Sequence, residues 1–150
     1  MSAAPDKAPV IEAELPPVDA VTAPWWDATR EGVLLIQLCQ ACGRFQHYPR
    51  ALCTGCGGTD LGWEQVAQYG VVDSFTVVHR GLPGFPAPYV VARVRLPLPN
   101  RIHLLTNLVD ADGNTPADLD AIRCDQTVEL SWRPLSDGRQ LPVFTIGGNP

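Results

Sequence analysis

The sequence predicts a mainly β protein with one short N-terminal helix, and three observations support this fold class. Two Cys-x-x-Cys pairs stand ten residues apart in the first half of the 150-residue chain. From Gly70 onward, apolar and polar residues alternate with the period of two that is typical of β-strands. Turn residues such as Gly, Pro, Asn and Asp separate these runs. The pattern indicates a small cysteine-bearing finger followed by a β-sheet domain.

The N-terminal residues divide into a leader and a helix. Residues 1–22 are rich in Ala, Pro, Asp and Glu without periodicity, so we expect a disordered leader, or a segment that orders only against a partner. Pro24 suits the first turn of a helix and Gly32 can end it. The chain has no apolar run near 18 residues and no basic segment before an apolar one, which predicts neither a membrane span nor a signal peptide.

Four of the five cysteines have the spacing of a structural zinc site, namely Cys39, Cys42, Cys53 and Cys56. Four thiolates close a tetrahedral shell, whereas a catalytic zinc keeps one position open. A redox dithiol, a pair of disulfides, and replacement of one cysteine by His47 are the alternatives. The odd cysteine count and the metal spacing favour a reducing, cytoplasmic location. We therefore predict one structural Zn²⁺.

The strands follow from the pattern of apolar residues. We expect two strands in the finger, over residues 33–38 and 63–67. Five further strands alternate apolar and polar side chains, and they cover residues 71–78, 89–96, 102–109, 127–133 and 141–146. A short helical stretch at 116–122 separates the third of these strands from the fourth. Five short strands interrupted by one small helix are typical of an OB-type barrel.

These elements give a predicted domain organisation. It comprises a leader over residues 1–22, a helix and rubredoxin-like zinc ribbon over 23–68, and an OB-fold over 69–150. A ribbon of this size has little core of its own, so bound metal would supply much of its stability.

Charge and missing motifs limit the functions that the chain can have. The net charge is −5, which disfavours nucleic-acid binding. There is no phosphate-binding loop, no dinucleotide fingerprint and no Gly-x-Ser-x-Gly elbow. Cys124 has no histidine assigned beside it, and we expect a buried or semi-buried structural residue there. Three arginines that could share one barrel face are candidates for coenzyme A phosphates, with a solvated strand face as the alternative: Arg93, Arg95 and Arg101.

Two apolar features suggest a binding surface. Trp25 and Trp26 are adjacent in a short helix, and two adjacent indoles do not easily face one small core. Leu82 and Phe85 lie on the Pro-stiffened loop 81–88 between two strands. Exposed apolar groups on a stiff loop favour a partner or ligand surface. The alternative for both features is packing within the chain.

Taken in order, these features resemble the zinc-ribbon plus OB-fold family of acyl-CoA-associated proteins, long catalogued as a domain of unknown function. The resemblance covers about residues 24–146. It rests on the Trp-bearing helix, both cysteine pairs, Gly70, and the stretches 34–43, 49–50, 88–92, 105–109 and 141–144.

The resemblance implies a non-catalytic accessory subunit in a hetero-oligomer. Family members accompany thiolase-fold enzymes, namely thiolases, acyltransferases and aldolases of acyl-CoA, including those of steroid side-chain degradation. The accessory protein is thought to hold its partner or shape the partner's coenzyme A entrance. The four cysteines carry over as metal ligands, and no catalytic residue carries over. We expect six residues to contact the partner: Trp25, Trp26, Phe45, Tyr48, Leu82 and Phe85.

Two other hypotheses remain open at this stage. Zinc ribbons and OB barrels also bind single-stranded nucleic acid through stacked aromatic residues and a basic groove. A stand-alone acyl-CoA carrier that uses the arginine-bearing face is the second. No base–nucleophile pair is visible for an independent enzyme.

Overall fold

A computed structural model describes residues 15–146 of the chain, so most of the predicted leader and the last four residues lie outside the described part. Within it there is one α-helix, α1 (Ala23–Thr29), with Pro24 in its first turn as predicted. No helix among these residues is long and apolar enough to cross a membrane. The rest of the described fold is built from eight strands and one 3₁₀ turn.

The finger forms a three-stranded antiparallel sheet. Its strands are β1 (Leu35–Cys39), β2 (Phe45–Gln46) and β3 (Leu61–Gln65), in the order β2-β1-β3. The two expected strands are present with small shifts at their ends. Sequence reasoning missed β2, because its two residues are too few to show a period.

Two buried glutamines join this sheet to the second cysteine pair. Gln37 and Gln46 are cross-strand partners, and Gln46 Nε2 donates to Gln37 Oε1 over 2.6 Å. Gln46 Oε1 accepts the backbone N–H of Thr54 (2.9 Å), and Gln37 Oε1 accepts that of Arg50 (2.9 Å). Gln37 Nε2 donates to the Arg50 carbonyl (2.9 Å), and Gln46 Nε2 also donates to the Leu52 carbonyl (3.1 Å). The two amides together bond to the backbone of Arg50, Leu52 and Thr54, and so they position residues 50–54.

The second sheet closes into a barrel, which confirms the predicted OB-type fold. Its strands are β4 (Tyr69–Val78), β5 (Tyr89–Arg95), β6 (His103–Val109), β7 (Thr127–Pro134) and β8 (Gln140–Thr145). Their order is β4-β5-β6-β8-β7, and β7 pairs back onto β4. The pairing of β6 with β8 is parallel and all others are antiparallel. The helical stretch expected at 116–122 is a short 3₁₀ turn, Leu119–Ala121.

The core runs through both parts of the fold. One cluster of buried side chains includes Ile36 of the ribbon, Trp25 and Trp26 of α1, and Val94 and Phe144 of the barrel. The two indoles meet edge to face, with ring centroids 4.6 Å apart and an interplanar angle of 87°. The expectation that adjacent indoles would not share one core is therefore wrong, because a T-shaped pair is a favourable aromatic arrangement.

Polar contacts fasten the helix and the ribbon to the barrel. Thr29 is fully buried, and its Oγ1 and backbone carbonyl accept from Gln140 N (3.2 Å) and Nε2 (2.9 Å) at the start of β8. Asn100, in the loop between β5 and β6, donates to the Phe45 carbonyl (2.7 Å) and accepts from its N–H (3.3 Å). The ribbon is thus held against the barrel from two sides.

Cys124 differs from its prediction, since it is exposed rather than buried. It lies in the turn before β7, where the next residue, Asp125, takes a positive φ of 64° and donates its N–H to the Val72 carbonyl (2.7 Å). An aspartate tolerates this left-handed conformation better than most residues. The turn therefore points Cys124 outward.

The glutamine pair generates a stability prediction. We expect Gln46→Ala to lower the free energy of unfolding by about 1–3 kcal/mol, because buried donors and acceptors lose their partners. Urea unfolding of the zinc-loaded protein measures the change. Gln65→Ala, at an exposed position of the same sheet, is the matched control and should shift stability by less than about 0.5 kcal/mol. Equal effects of the two variants would contradict the proposed role.

Candidate metal centre and partner-binding face

The four predicted cysteine ligands converge at the tip of the ribbon. Their Sγ atoms all lie within 4.8 Å of one another. Cys39 Sγ is 3.7 Å from Cys56 Sγ, and Cys42 Sγ is 3.6 Å from Cys53 Sγ. These separations are far longer than the roughly 2.05 Å of a disulfide, so the disulfide alternative does not fit.

The two cysteine pairs form matching turns. The N–H of Gly43 donates to the Cys39 carbonyl (2.8 Å), and that of Gly57 donates to the Cys53 carbonyl (3.0 Å). Both glycines have positive φ, 76° and 74°, which a residue with a Cβ rarely adopts. Each pair thus needs a glycine directly after its second cysteine in order to turn both sulfurs inward.

Backbone N–H groups point at the sulfurs of the second pair. Gly55 N lies 3.3 Å from Cys53 Sγ and Gly58 N lies 3.4 Å from Cys56 Sγ. Hydrogen bonds from the N–H groups of Cys56 and Gly55 lower the pKa of the Cys53 thiol. Donors of this kind favour the thiolate, which is the form that binds metal.

The arrangement fits a tetrahedral zinc ion. Zn–S bonds of about 2.3 Å place tetrahedral sulfurs about 3.8 Å apart, close to the two short separations above. The donor set is entirely sulfur, so a bound ion would have a closed shell and a structural role. His47 does not join this group; it packs against Trp25 and Tyr48, and burial lowers its pKa to about 4.

The six predicted partner contacts divide into two sets. Trp25, Trp26 and Phe45 are buried, with 8%, 9% and 9% of their surface exposed, and they belong to the chain's own core. Tyr48 and Leu82 are 62% and 66% exposed, and Phe85 is 38% exposed. Partner contact through any of the six stays a prediction, and the exposed three are the ones whose side chains are free to make it.

Two neighbouring cavities lie along strand β6. The larger, of about 330 Å³, is a mostly apolar groove between α1, the ribbon and the barrel, with Tyr48 and Leu105 in its lining. The smaller, of about 180 Å³, lies beside Phe85 and Arg133. Asn107 lines both cavities. We call this surface the β6 face, defined by Tyr48, Leu105, Asn107 and Phe85.

Sequence reasoning missed two residues that line these cavities. Leu105 is 68% exposed, although its strand reads as a run of apolar residues. Arg133 lies near the end of β7 and gave no motif. Only the pairing of strands brings it to Asn107, whose Oδ1 is 3.4 Å from Arg133 Nη1.

The arginines predicted to hold phosphates share their face with an acid. Arg93 Nε and Arg95 Nη1 lie 3.8 Å and 3.4 Å from the two carboxylate oxygens of Asp73. His103 Nε2 lies 3.5 Å from the same carboxylate. Arg101 is exposed in the preceding loop. The carboxylate offsets one of the positive charges, and coenzyme A binding by this group stays a prediction.

Comparison with known proteins identifies two relatives that are named as subunits of enzymes acting on acyl-CoA. The chain is 37% identical over 130 residues to a probable enoyl-CoA hydratase alpha subunit from Thermomonospora curvata. This match includes 86% of the chain but only 38% of the relative's length. It is 27% identical over 108 residues to the benzoylsuccinyl-CoA thiolase subunit BbsA of Geobacter metallireducens, covering 71% of the chain and 67% of BbsA.

Solved structures share the fold. A chain described as Ltp2-ChsH2(DUF35) aldolase superposes with a TM-score of 0.75 and 34% identity, covering 87% of this chain and 98% of that one. A DUF35 family protein of unknown function from Sulfolobus solfataricus superposes with a TM-score of 0.60, covering 85% and 86% of the two chains. At 14% identity the second match shows the fold alone.

The sulfur cluster generates a metal prediction. We expect one zinc per chain by elemental analysis, and we expect Cys53→Ser to lose it to a competing chelator that leaves the wild type loaded. Metal release should also increase as the pH falls, because protons compete for the thiolates. Cys124→Ser, which changes the exposed cysteine outside the cluster, is the matched control. Full zinc retention by Cys53→Ser would exclude this residue as a ligand.

Two family models match consecutive parts of the chain. The model described as ChsH2, rubredoxin-like zinc ribbon domain, covers residues 26–62. The model described as ChsH2, C-terminal OB-fold domain, covers residues 63–133. Both match the architecture, with the four cysteines in the first and the closed barrel in the second. The chain therefore belongs to the ChsH2 family of zinc-ribbon and OB-fold proteins.

Proposed function

We propose that this chain is a non-catalytic accessory subunit that binds a thiolase-fold enzyme acting on acyl-CoA, as an aldolase or thiolase partner. The observation that carries the proposal is the match to the Ltp2-ChsH2(DUF35) aldolase chain, which this chain covers almost completely. The thiolase subunit BbsA supports the same partner class. The chain would hold the enzyme in its active assembly and shape access to its coenzyme A site.

The β6 face supports a binding role. Its groove has Tyr48 and Leu105 at the surface, both largely exposed, above a floor that includes the two buried indoles. At the other end of the β6 face, Phe85 lines the smaller cavity. Its loop is closed by two backbone hydrogen bonds between Leu82 and Phe85, of 3.2 Å and 2.8 Å. Apolar groups held rigidly at a surface lose little entropy on binding, so they suit a protein interface.

The chemistry of the described residues supports a partner that performs the catalysis. Cys124, the one cysteine outside the sulfur cluster, is exposed in the turn before β7, and the described hydrogen bonds do not pair it with a histidine. His103 is engaged with Asp73 and Arg93 on the outer face of the barrel. In the proposed complex, this chain has a structural role and the enzyme supplies the catalytic residues.

The primary test is assembly with an enzyme of the stated class. We expect the tagged chain, purified from its host, to retain a thiolase-fold acyl-CoA enzyme in fixed stoichiometry, identified by mass spectrometry. The enzyme's turnover of its acyl-CoA substrate should fall when the chain is omitted from a reconstituted mixture. Thioester turnover by the purified chain alone would overturn the accessory role, and a stable complex with a hydratase alone would overturn the partner class.

The β6 face generates a second prediction. We expect Tyr48→Ala and Phe85→Ala each to weaken binding to the enzyme at least tenfold, which corresponds to about 1.4 kcal/mol. Tyr69→Ala removes another exposed aromatic residue that lines neither cavity, and it serves as the matched control. Surface plasmon resonance or calorimetry with the purified enzyme gives the affinities. Wild-type affinity in both face variants would assign the interface to another surface.

A further inference from the structure

The smaller cavity of the β6 face contains a cation with few partners. Arg133 lines it together with Asn107, the loop residues Gly84 and Phe85, and Thr115 from the turn after β6. The guanidinium is half-buried, and its surroundings lower its pKa through loss of water. A charge that has lost part of its hydration is destabilised unless other groups replace the water.

The described residues replace little of that water. The guanidinium makes one hydrogen bond, the 3.4 Å contact from Nη1 to Asn107 Oδ1. Asn107 is fixed in this role because its Nδ2 donates to the Val90 carbonyl (2.9 Å), which turns its oxygen toward the arginine. An arginine carries five N–H donors, so most of its capacity is left for another acceptor.

The counter-charge is also missing among residues 15–146, where no carboxylate lies within 4.0 Å of Arg133. The acid of the adjacent turn, Asp110, uses its Oδ1 to accept the backbone N–H groups of Asp112 and Asn114, each over 2.9 Å. The arginines that do form ion pairs among the described residues are Arg93, Arg95 and Arg139. The pocket therefore offers positive charge without a carboxylate of its own.

The size of the pocket limits what can fill it. About 180 Å³ is smaller than the roughly 300–1,000 Å³ of small-molecule sites, and is too small for a nucleotide-bearing cofactor. It is sufficient for one side chain. A planar guanidinium matches a carboxylate in two parallel hydrogen bonds. The exposed Leu82 and Phe85 on the same loop add the apolar surroundings in which arginine contributes most to protein binding.

From this geometry we propose that the Arg133 pocket receives an aspartate or glutamate side chain of the partner enzyme. The proposal rests on the proposed function, because it needs that enzyme. The incoming carboxylate accepts two N–H groups of Arg133 while Asn107 holds the guanidinium in place. Phe85 covers the contact at its rim and keeps water away from it. The pocket thus fixes the position of one acid on the enzyme relative to the barrel.

The first test measures affinity in the intact complex. We expect Arg133→Gln to weaken binding of the enzyme at least tenfold, whereas Arg123→Gln, at an exposed arginine outside the pocket, stays within twofold of wild type. The free Arg133→Gln chain should melt at or above the wild-type temperature, since an isolated half-buried charge is removed. A lower melting temperature with unchanged affinity would make Arg133 a structural residue and overturn the proposal.

The second test identifies the acid. The chain has a single lysine, Lys7, so Arg133→Lys introduces an almost unique amine. A carbodiimide, which joins amines to carboxylates without a spacer, should link that amine to one Asp or Glu of the enzyme, as mapped by mass spectrometry. Arg123→Lys should not link to the same acid. Failure of the Arg133→Lys complex to cross-link, with binding retained, would overturn the proposal.

The outcomes separate the two proposals. If the wild-type chain binds no thiolase-fold enzyme, both fall. If the wild type binds and Arg133→Gln binds equally well, only the carboxylate contact falls. A coenzyme A phosphate is the other group that could occupy the pocket, and calorimetry with coenzyme A tests it. Loss of coenzyme A binding in Arg133→Gln, with enzyme binding intact, would reassign the pocket to a ligand phosphate.

Discussion

The convergence of four cysteine sulfurs is the constraint on which the ribbon depends. Of the five buried side chains in its three short strands, two are glutamines and one is a cysteine, so the ribbon has little apolar core of its own. Zinc-bound thiolates fix both turns at once, and the glutamine pair then ties the second turn back to β1 and β2. The backbone pairing of β2 with β1 spans only two residues, so β2 also relies on side-chain contacts from Gln37 and Asn100.

The ribbon also completes a surface that the barrel does not form alone. The groove of the β6 face takes one wall from α1 and the ribbon and the other from β6 and β8. Hydrogen bonds between Thr29 and Gln140 and between Asn100 and Phe45 fix the position of one wall relative to the other. Because α1, the ribbon and the barrel contribute to one core, packing across the whole fold positions both walls of the groove.

Local sequence patterns predicted the parts of the fold that depend on local chemistry. Cysteine spacing identified the metal site, and strict alternation along β5 placed Val90, Ala92 and Val94 on the buried face, as the structure has them. Most of the features that sequence reasoning missed depend on tertiary packing, even where the residues are neighbours in sequence, as Trp25 and Trp26 are. The packing of Trp25 on Trp26, the Asn100 contact and the pocket around Arg133 all arise from how elements meet. A lone arginine on a strand carries no signal until the neighbouring strand and loop are placed beside it.

The position of Arg133 is consistent with a chain that functions by binding another protein. In the free chain a half-buried guanidinium beside exposed apolar residues lowers stability and raises the risk of nonspecific contacts. A surface of matching shape and opposite charge offsets the lost hydration of the guanidinium and covers the apolar residues. On a surface that only faces solvent, an arginine is usually exposed and large apolar side chains are usually buried. Here Arg133 is half-buried, whereas Leu82 and Phe85 are exposed. The same arrangement favours specificity, because an enzyme that lacks an acid at that point would bury the cation without a counter-charge.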